Sequence, residues 1–214
     1  MRATASVAMG LALIAIGGCA NTERSRNLND PTVPAKVTAQ QVCSNCHGID
    51  GNSTSPNFPA LAGQQEKYFI AQMESFRSHN RLDPAGFEYM WGLSRHLTDD
   101  QIKGLAAYFS KQTPVAKAAA EAQLASRGEE IFGKGIADKN IPACMVCHGA
   151  QGQGNETFPR LADQHADYLV KQLQVFQRTD ERPEGSIMKQ IAHDLTQNDM
   201  QAVAAYLQAL PASK

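Results

Sequence analysis

Cys43-Ser44-Asn45-Cys46-His47 and Cys144-Met145-Val146-Cys147-His148 are two copies of one pattern, C-x-x-C-H, in a single chain. The pattern is that of c-type haem attachment. Two thiols on one short helical turn reach the two vinyl groups of a single porphyrin and form thioethers. The histidine that follows is then held under the iron as its proximal ligand. An isolated C-x-x-C also suits a redox or zinc pair. A second copy, again with His directly after the second Cys, argues against that. Pairing the four thiols as disulfides would leave both histidines unexplained. The sequence therefore assigns Cys43, Cys46, Cys144 and Cys147 to covalent haem attachment, and His47 and His148 to iron.

Working outward, the segments after the two motifs repeat each other. Phe58-Pro59-Ala60-Leu61-Ala62 matches Phe158-Pro159-Arg160-Leu161-Ala162. Tyr68 matches Tyr168, Phe76 matches Phe176, Leu97-Thr98 matches Leu195-Thr196, and Ala106-Ala107-Tyr108-Phe109 matches Ala204-Ala205-Tyr206-Leu207. The chain is expected to be two copies of one module, each with its own haem. The apolar residues Tyr68, Phe69, Met73 and Phe76 fall at helical spacing, as do Ile102, Leu105, Ala106 and Phe109 after Thr98-Asp99-Asp100-Gln101. Capping boxes are also expected at Thr38-Ala39-Gln40-Gln41 and Ser126-Arg127-Gly128-Glu129. Gly48 to Pro59 and Ser78 to Gly86 are expected loops. No stretch alternates like a strand, so the fold class is all-α. A module of about 80 residues has a thin core, and a covalent porphyrin would add a large apolar body to it.

One axial position remains on each iron, and its occupant decides between electron transfer and chemistry at open metal. Among the seven methionines, Met90 and Met188 alone pair up in the repeat. Each precedes its Ala-Ala-Tyr helix by the same interval. Thioether sulfur favours ferrous iron and raises the potential. Met73 and Met200 fit core positions, and Met145 a packing or haem-edge position. His96 and His193 are the rival ligands, but they lie one register apart relative to Met90 and Met188. One residue turns a helical side chain by about 100°. His79 and His165 have no partner in the other copy and are expected at the surface. The Pro59 and Pro159 carbonyls are candidates to accept the proximal imidazole N–H, with a plain turn proline the equal alternative. Arg81 and Arg182 suit haem propionates or a solvated surface about equally.

The 214 residues carry a net charge of −1, with 43% hydrophobic and 19% charged residues. No basic field supports nucleic-acid binding. The N-terminus has Arg2, an apolar run from Val7 to Ile16, and Gly17-Gly18-Cys19-Ala20. That run is shorter than the about 20 residues a spanning helix needs, and it reads as an export signal. Ile16-Gly17-Gly18-Cys19 is similar to a bacterial lipobox, which would lipidate Cys19 and place the chain at a membrane surface. Cleavage after Ala20 is the alternative. Either route puts the mature protein outside the cytoplasm. The expected organisation is a signal at 1–19, a tether at 20–36, a cytochrome c domain at 37–113, a linker at 114–125 and a second domain at 126–214.

Together the paired motifs, the repeated Phe-Pro-x-Leu-Ala segment, the Tyr68 and Tyr168 helices, and Met90 and Met188 resemble the cytochrome c4 group of two-haem bacterial cytochromes c. The resemblance spans about Val37 to Leu210. It implies an all-α pair of cytochrome c-like domains with two covalently bound haem c groups meeting across a shared interface. It also implies periplasmic electron carriage from a quinol-oxidising complex or dehydrogenase to a terminal oxidase or other acceptor. The expected partners are redox proteins, with no small-molecule substrate. A lipid on Cys19 would depart from members released by simple cleavage. The different flanks, Tyr89-Met90-Trp91 against Ile187-Met188-Lys189, suggest unequal potentials. The competing readings are a cytochrome subunit or catalytic dihaem enzyme, peroxidase-like or thiosulfate-oxidoreductase-like, and a haem-based gas sensor. An enzyme would need an open sixth position with acid/base groups beside it, whereas both copies offer a Met.

Overall fold

The computed structural model describes residues 22–117, 122–178 and 180–211. The expected signal at 1–19, including Cys19, lies outside the described residues. Eleven α-helices make up the described chain: α1 Thr22–Ser25, α2 Ala35–Thr38, α3 Ser44–His47, α4 Glu66–Arg77, α5 Trp91–Ser94, α6 Asp99–Ser110, α7 Ala122–Lys134, α8 Met145–His148, α9 Ala166–Arg178, α10 Ser186–Ala192 and α11 Gln197–Ala209. Two π-helical turns, Ala39–Cys43 and Gly86–Met90, and two short 3₁₀ turns, Ala137–Lys139 and Pro183–Gly185, join some of them. The described residues hold no strand beyond two isolated bridges, Ile136 with Ile141 and Asn155 with Phe158. The all-α expectation holds. No described helix is long and apolar enough to cross a membrane.

Two separate cores form, one in each half. In the first, α4 contributes Phe69, Met73 and Phe76, and α6 contributes Ile102, Leu105, Ala106 and Phe109. In the second, Ile131 and Phe132 of α7 meet Leu169 and Phe176 of α9 and Met200, Val203 and Leu207 of α11. The first core is made by the helical stripes read from the sequence, except that Tyr68 is only half-buried, and each fully buried Leu, Ile or Phe stabilises by about 1.5–3 kcal/mol. Met73 and Met200 sit in these cores, as expected for packing residues.

The start of α6 follows its sequence signal. Thr98 accepts from the Gln101 N–H, and the Gln101 side chain accepts from the Thr98 N–H, closing a capping box. Thr196 and Asp199 do the same for α11. The two other expected boxes do not form. Thr38 is helical and buried, with no side-chain cap, because the helix already begins at Ala35 behind extended Pro34. Ser126 lies inside α7, which starts at Ala122. Gly128 marks a helix crossing instead. A Cβ there would collide with the Ala202 carbonyl of α11, so the bare glycine is what lets the two helices approach.

Candidate functional site

The two C-x-x-C-H motifs are delivered differently and end alike. In the first half the chain runs helically from Ala35 through the π turn Ala39–Cys43 into α3, so Cys43 closes the turn and Cys46 and His47 ride on the next one. In the second, a loop returns from α7 and Cys144 caps α8. Gly48 and Gly149 then stop the helices at φ of 79° and 82°. That left-handed conformation suits glycine best.

Both histidines are buried and bonded in the same way. His47 Nδ1 lies 2.9 Å from the Pro59 carbonyl oxygen, and His148 Nδ1 lies 3.0 Å from that of Pro159. A carbonyl can only accept, so Nδ1 carries the hydrogen and donates, leaving each Nε2 lone pair for a metal. Burial holds both rings below the usual histidine range, against the opposing pull of the carbonyl bond, which keeps them neutral. The prolines flagged in the sequence are thus ring-orienting acceptors. The Phe58 and Phe158 rings stand edge-on to these imidazoles, with centroids 6.2 and 6.1 Å away.

The four thiols are unbridged. Burial pushes Cys43 and Cys144 up to about 11. Cys43 and Met90 pack on the first core cluster; Cys144, Met145 and Met188 pack on the second. Unbridged thiols, a neutral imidazole with its metal-binding nitrogen unclaimed, and a half-buried thioether on the same core fit a haem c in each half. His96 and His193, the rival ligands, are both exposed, and His96 accepts from the Arg95 guanidinium. Met90 ends the π turn Gly86–Met90, and its carbonyl accepts from the Ser94 hydroxyl at 2.7 Å. Met188 lies within the regular helix α10.

Where the halves meet, the structure departs from the sequence reading. Arg81 and Arg182 are only 3% and 6% exposed, so the solvated alternative fails for both. Arg81 donates to both Asp83 oxygens at 2.9 and 3.1 Å and to Gln72 and Gln172 at 2.6 and 3.2 Å. Arg182 donates to Gln172 and Gln72 at 2.6 and 2.8 Å. Each guanidinium also lies over a phenylalanine of its own half, Phe76 or Phe176. Burial works against an ionised Asp83, yet the Arg81 charge and its bonds hold the carboxyl below the usual carboxylate range. Burial pushes the Tyr168 hydroxyl upward, opposed by Arg81. His165, expected at the surface, is buried and faces the Ser53 carbonyl of the other half at 2.8 Å. Exposed His79 stacks on Trp91, with centroids 4.3 Å apart.

Two further residues escaped sequence reasoning. Gln64 and Gln164 each grip the backbone of the opposite half. The Gln164 amide accepts from Ala60 N–H at 2.8 Å and donates to Ala60 C=O at 2.9 Å. The Gln64 amide accepts from Arg160 N–H at 2.8 Å and donates to Arg160 C=O at 3.2 Å. Their signal was present in the repeat: both follow the Phe-Pro-x-Leu-Ala segment by the same two positions.

Comparison with known proteins agrees with this arrangement. The family model Cytochrome c matches residues 34–113 and 125–211. Cytochrome c-552 of Acidithiobacillus ferridurans is 37% identical over 201 residues, which cover 93% of this chain and 85% of that protein. Cytochrome c4 of Azotobacter vinelandii is 39% identical, covering 79% and 84%. A protein named as a thiosulfate dehydrogenase electron acceptor, from Stutzerimonas stutzeri (strain A1501), is 33% identical over 78% of each chain. The crystal structure of reduced recombinant cytochrome c4 from Pseudomonas stutzeri superposes with a TM-score of 0.74 at 36% identity, covering 85% of this chain and 99% of that one. With both halves matched and cytochrome c4 relatives aligned over most of its length, the chain belongs to the cytochrome c4 family, electron carriers with two covalently bound haem c groups.

Proposed function

We propose that this protein carries single electrons in the periplasm between a quinol-oxidising complex or a dehydrogenase and a terminal oxidase or other acceptor. Cys43 and Cys46 would hold one porphyrin and Cys144 and Cys147 the other, with His47 and Met90, and His148 and Met188, as the residues that would bind the two irons. The haem supplies a reversible one-electron couple. The protein's own task is to fix the ring of each histidine, exclude water from it and hold a thioether on the same core. The observation that carries this reading is the matched pair of bonds from His47 to Pro59 and from His148 to Pro159. Two sites built alike, each with a methionine on its own core, suit transfer between similar centres. A catalytic haem would need an open position. A dehydrogenase as donor is favoured by the likeness to the thiosulfate dehydrogenase electron acceptor.

The ferric protein is expected to show the weak far-red band of methionine sulfur ligation at both haems. A high-spin signal at either haem, or rapid turnover of peroxide, would favour the enzyme reading. Met90→Ala and Met188→Ala should each abolish half of the band. Attachment by a lipid on Cys19 is tested by Cys19→Ser, which should move the protein from the membrane fraction to the soluble one.

A further inference from the structure

The peptide that orients each proximal histidine is gripped from the other half of the molecule. Pro59 C=O and Ala60 N–H belong to one peptide unit. The oxygen accepts from His47 Nδ1, and the N–H donates to Gln164 Oε1. In the second half, Pro159 C=O accepts from His148 Nδ1 while Arg160 N–H donates to Gln64 Oε1. Each glutamine amide meets one N–H and one C=O, so its orientation is set by the network. Both are fixed further: Gln64 Oε1 also accepts from Gln65 N–H, and Gln164 Oε1 from His165 N–H. The two glutamines are 7% and 5% exposed.

A peptide unit is conjugated, so its two ends are not independent. Donation from the N–H moves electron density toward the carbonyl oxygen, which then accepts more strongly. Chains of hydrogen bonds reinforce one another in this way by about 10–30% per bond. A stronger acceptor at Nδ1 makes the imidazole a better electron donor through Nε2, and such outer partners tune the iron.

We propose that Gln64 and Gln164 are tuning residues that act crosswise, Gln164 lowering the potential of the haem held by His47 and Gln64 that of the haem held by His148. The proposal rests on His47 and His148 being the proximal ligands. It gives the domain contact a redox role: each half sets part of the other's potential, so loosening the contact raises both.

The test uses the full-length haem-loaded protein with Gln164→Met, Gln64→Met and, as control, Gln65→Met. Methionine keeps the bulk and removes the amide. Gln65 donates across the same contact to Gln153 C=O at 2.8 Å, without touching either histidine-bearing peptide. Redox titration is followed by NMR, with the signals of the two haems separated. Gln164→Met should favour reduction of the first haem by about threefold, about 30 mV at 59 mV per tenfold, and leave the second in place. Gln64→Met should do the reverse, and Gln65→Met should shift neither. The Nδ1–H resonance of the histidine whose peptide was released should move upfield, and the other should stay. If a methionine variant loses its haem, Gln164→Glu and Gln64→Glu replace it, with a crosswise fall in potential expected from the stronger acceptor. A shift confined to the substituted half, equal shifts at both haems, or none, overturns the relay. Unsubstituted protein whose His47 and His148 signals lack the hyperfine shift of an iron-bound ring defeats the ligand assignment, and the relay with it.

Discussion

Residues 60 and 63 in the first half are Ala and Gly; their counterparts 160 and 163 in the second are Arg and Asp. The backbone is nonetheless the same. Gly63 and Asp163 take φ of 66° and 61°. Their N–H groups donate to Phe109 C=O and Leu207 C=O, both at 2.9 Å. Glycine reaches that conformation freely. Aspartate tolerates it better than most residues, and here its carboxylate is also held by Arg160 at 2.8 Å, both side chains being buried. One half obtains the turn that presents the histidine-bonding peptide by omission of a side chain. The other obtains it with a buried ion pair. The same geometry therefore has different weak points in the two halves.

The largest effect is expected where the halves share one group. Arg81 from the first half and Arg182 from the second both act on Asp83, which is fully buried. Removing one partner of a buried ion pair leaves an uncompensated charge. Asp83→Asn should cost about 3 kcal/mol in denaturant unfolding of the haem-loaded protein. Because the folded carboxyl titrates below its unfolded value of about 3.9, its contribution is complete above that value. It is lost as pH falls through the lower folded value. The unsubstituted protein should therefore lose more stability below about pH 4 than Asp83→Asn does, the remainder in the variant coming from the other lowered carboxyls such as Asp99 and Asp199. An unchanged acid profile would make the contact indifferent to that carboxylate.

The ion pair of the second half gives a sharper test. Arg160→Ala alone strands the Asp163 carboxylate and should cost about 3 kcal/mol. Arg160→Ala with Asp163→Gly converts the second turn into the first and should lie within about 1 kcal/mol of the unsubstituted protein, since replacing a buried pair outright is often neutral. Equal losses in the single and double variants would mean that the pair itself holds the turn. In the first half, Gly63→Ala should cost about 1–2 kcal/mol from the left-handed backbone alone. Its new Cβ would also press on Pro114, 2.7 Å away.

What could be read from the sequence was what lies close along the chain or recurs in it. The C-x-x-C-H motifs, the acceptor prolines, the helical stripes and the methionine pair all have that character. The contact between the halves does not. Gln72 bonding Arg182, Gln64 gripping Arg160 and His165 facing Ser53 join residues with no local pattern linking them. A histidine without a twin therefore reads as surface, and Arg81 and Arg182 read equally as propionate partners or surface. The interface glutamines look like ordinary polar helix-flanking residues until the second copy is laid over the first.

Capping boxes show the same limit at smaller energies. The residue types S/T-x-x-E/Q name a possible start, but only a chain that is extended at the first position can use it. Thr98 and Thr196 are extended, with ψ of 164° and 163°, and their boxes close. Thr38 is helical, and Ser126 lies a full turn inside α7. Thr98→Ala and Thr196→Ala should each cost about 1 kcal/mol, equally in the two halves. Ser126→Ala should change stability by no more than about 0.5 kcal/mol, and in the stabilising direction, because alanine is the better residue inside a helix and the exposed hydroxyl caps nothing. A loss at Ser126 as large as that at Thr196 would mean that α7 begins at Arg127, five residues later than Ala122, and that Gly128 serves the helix start as well as the crossing with α11.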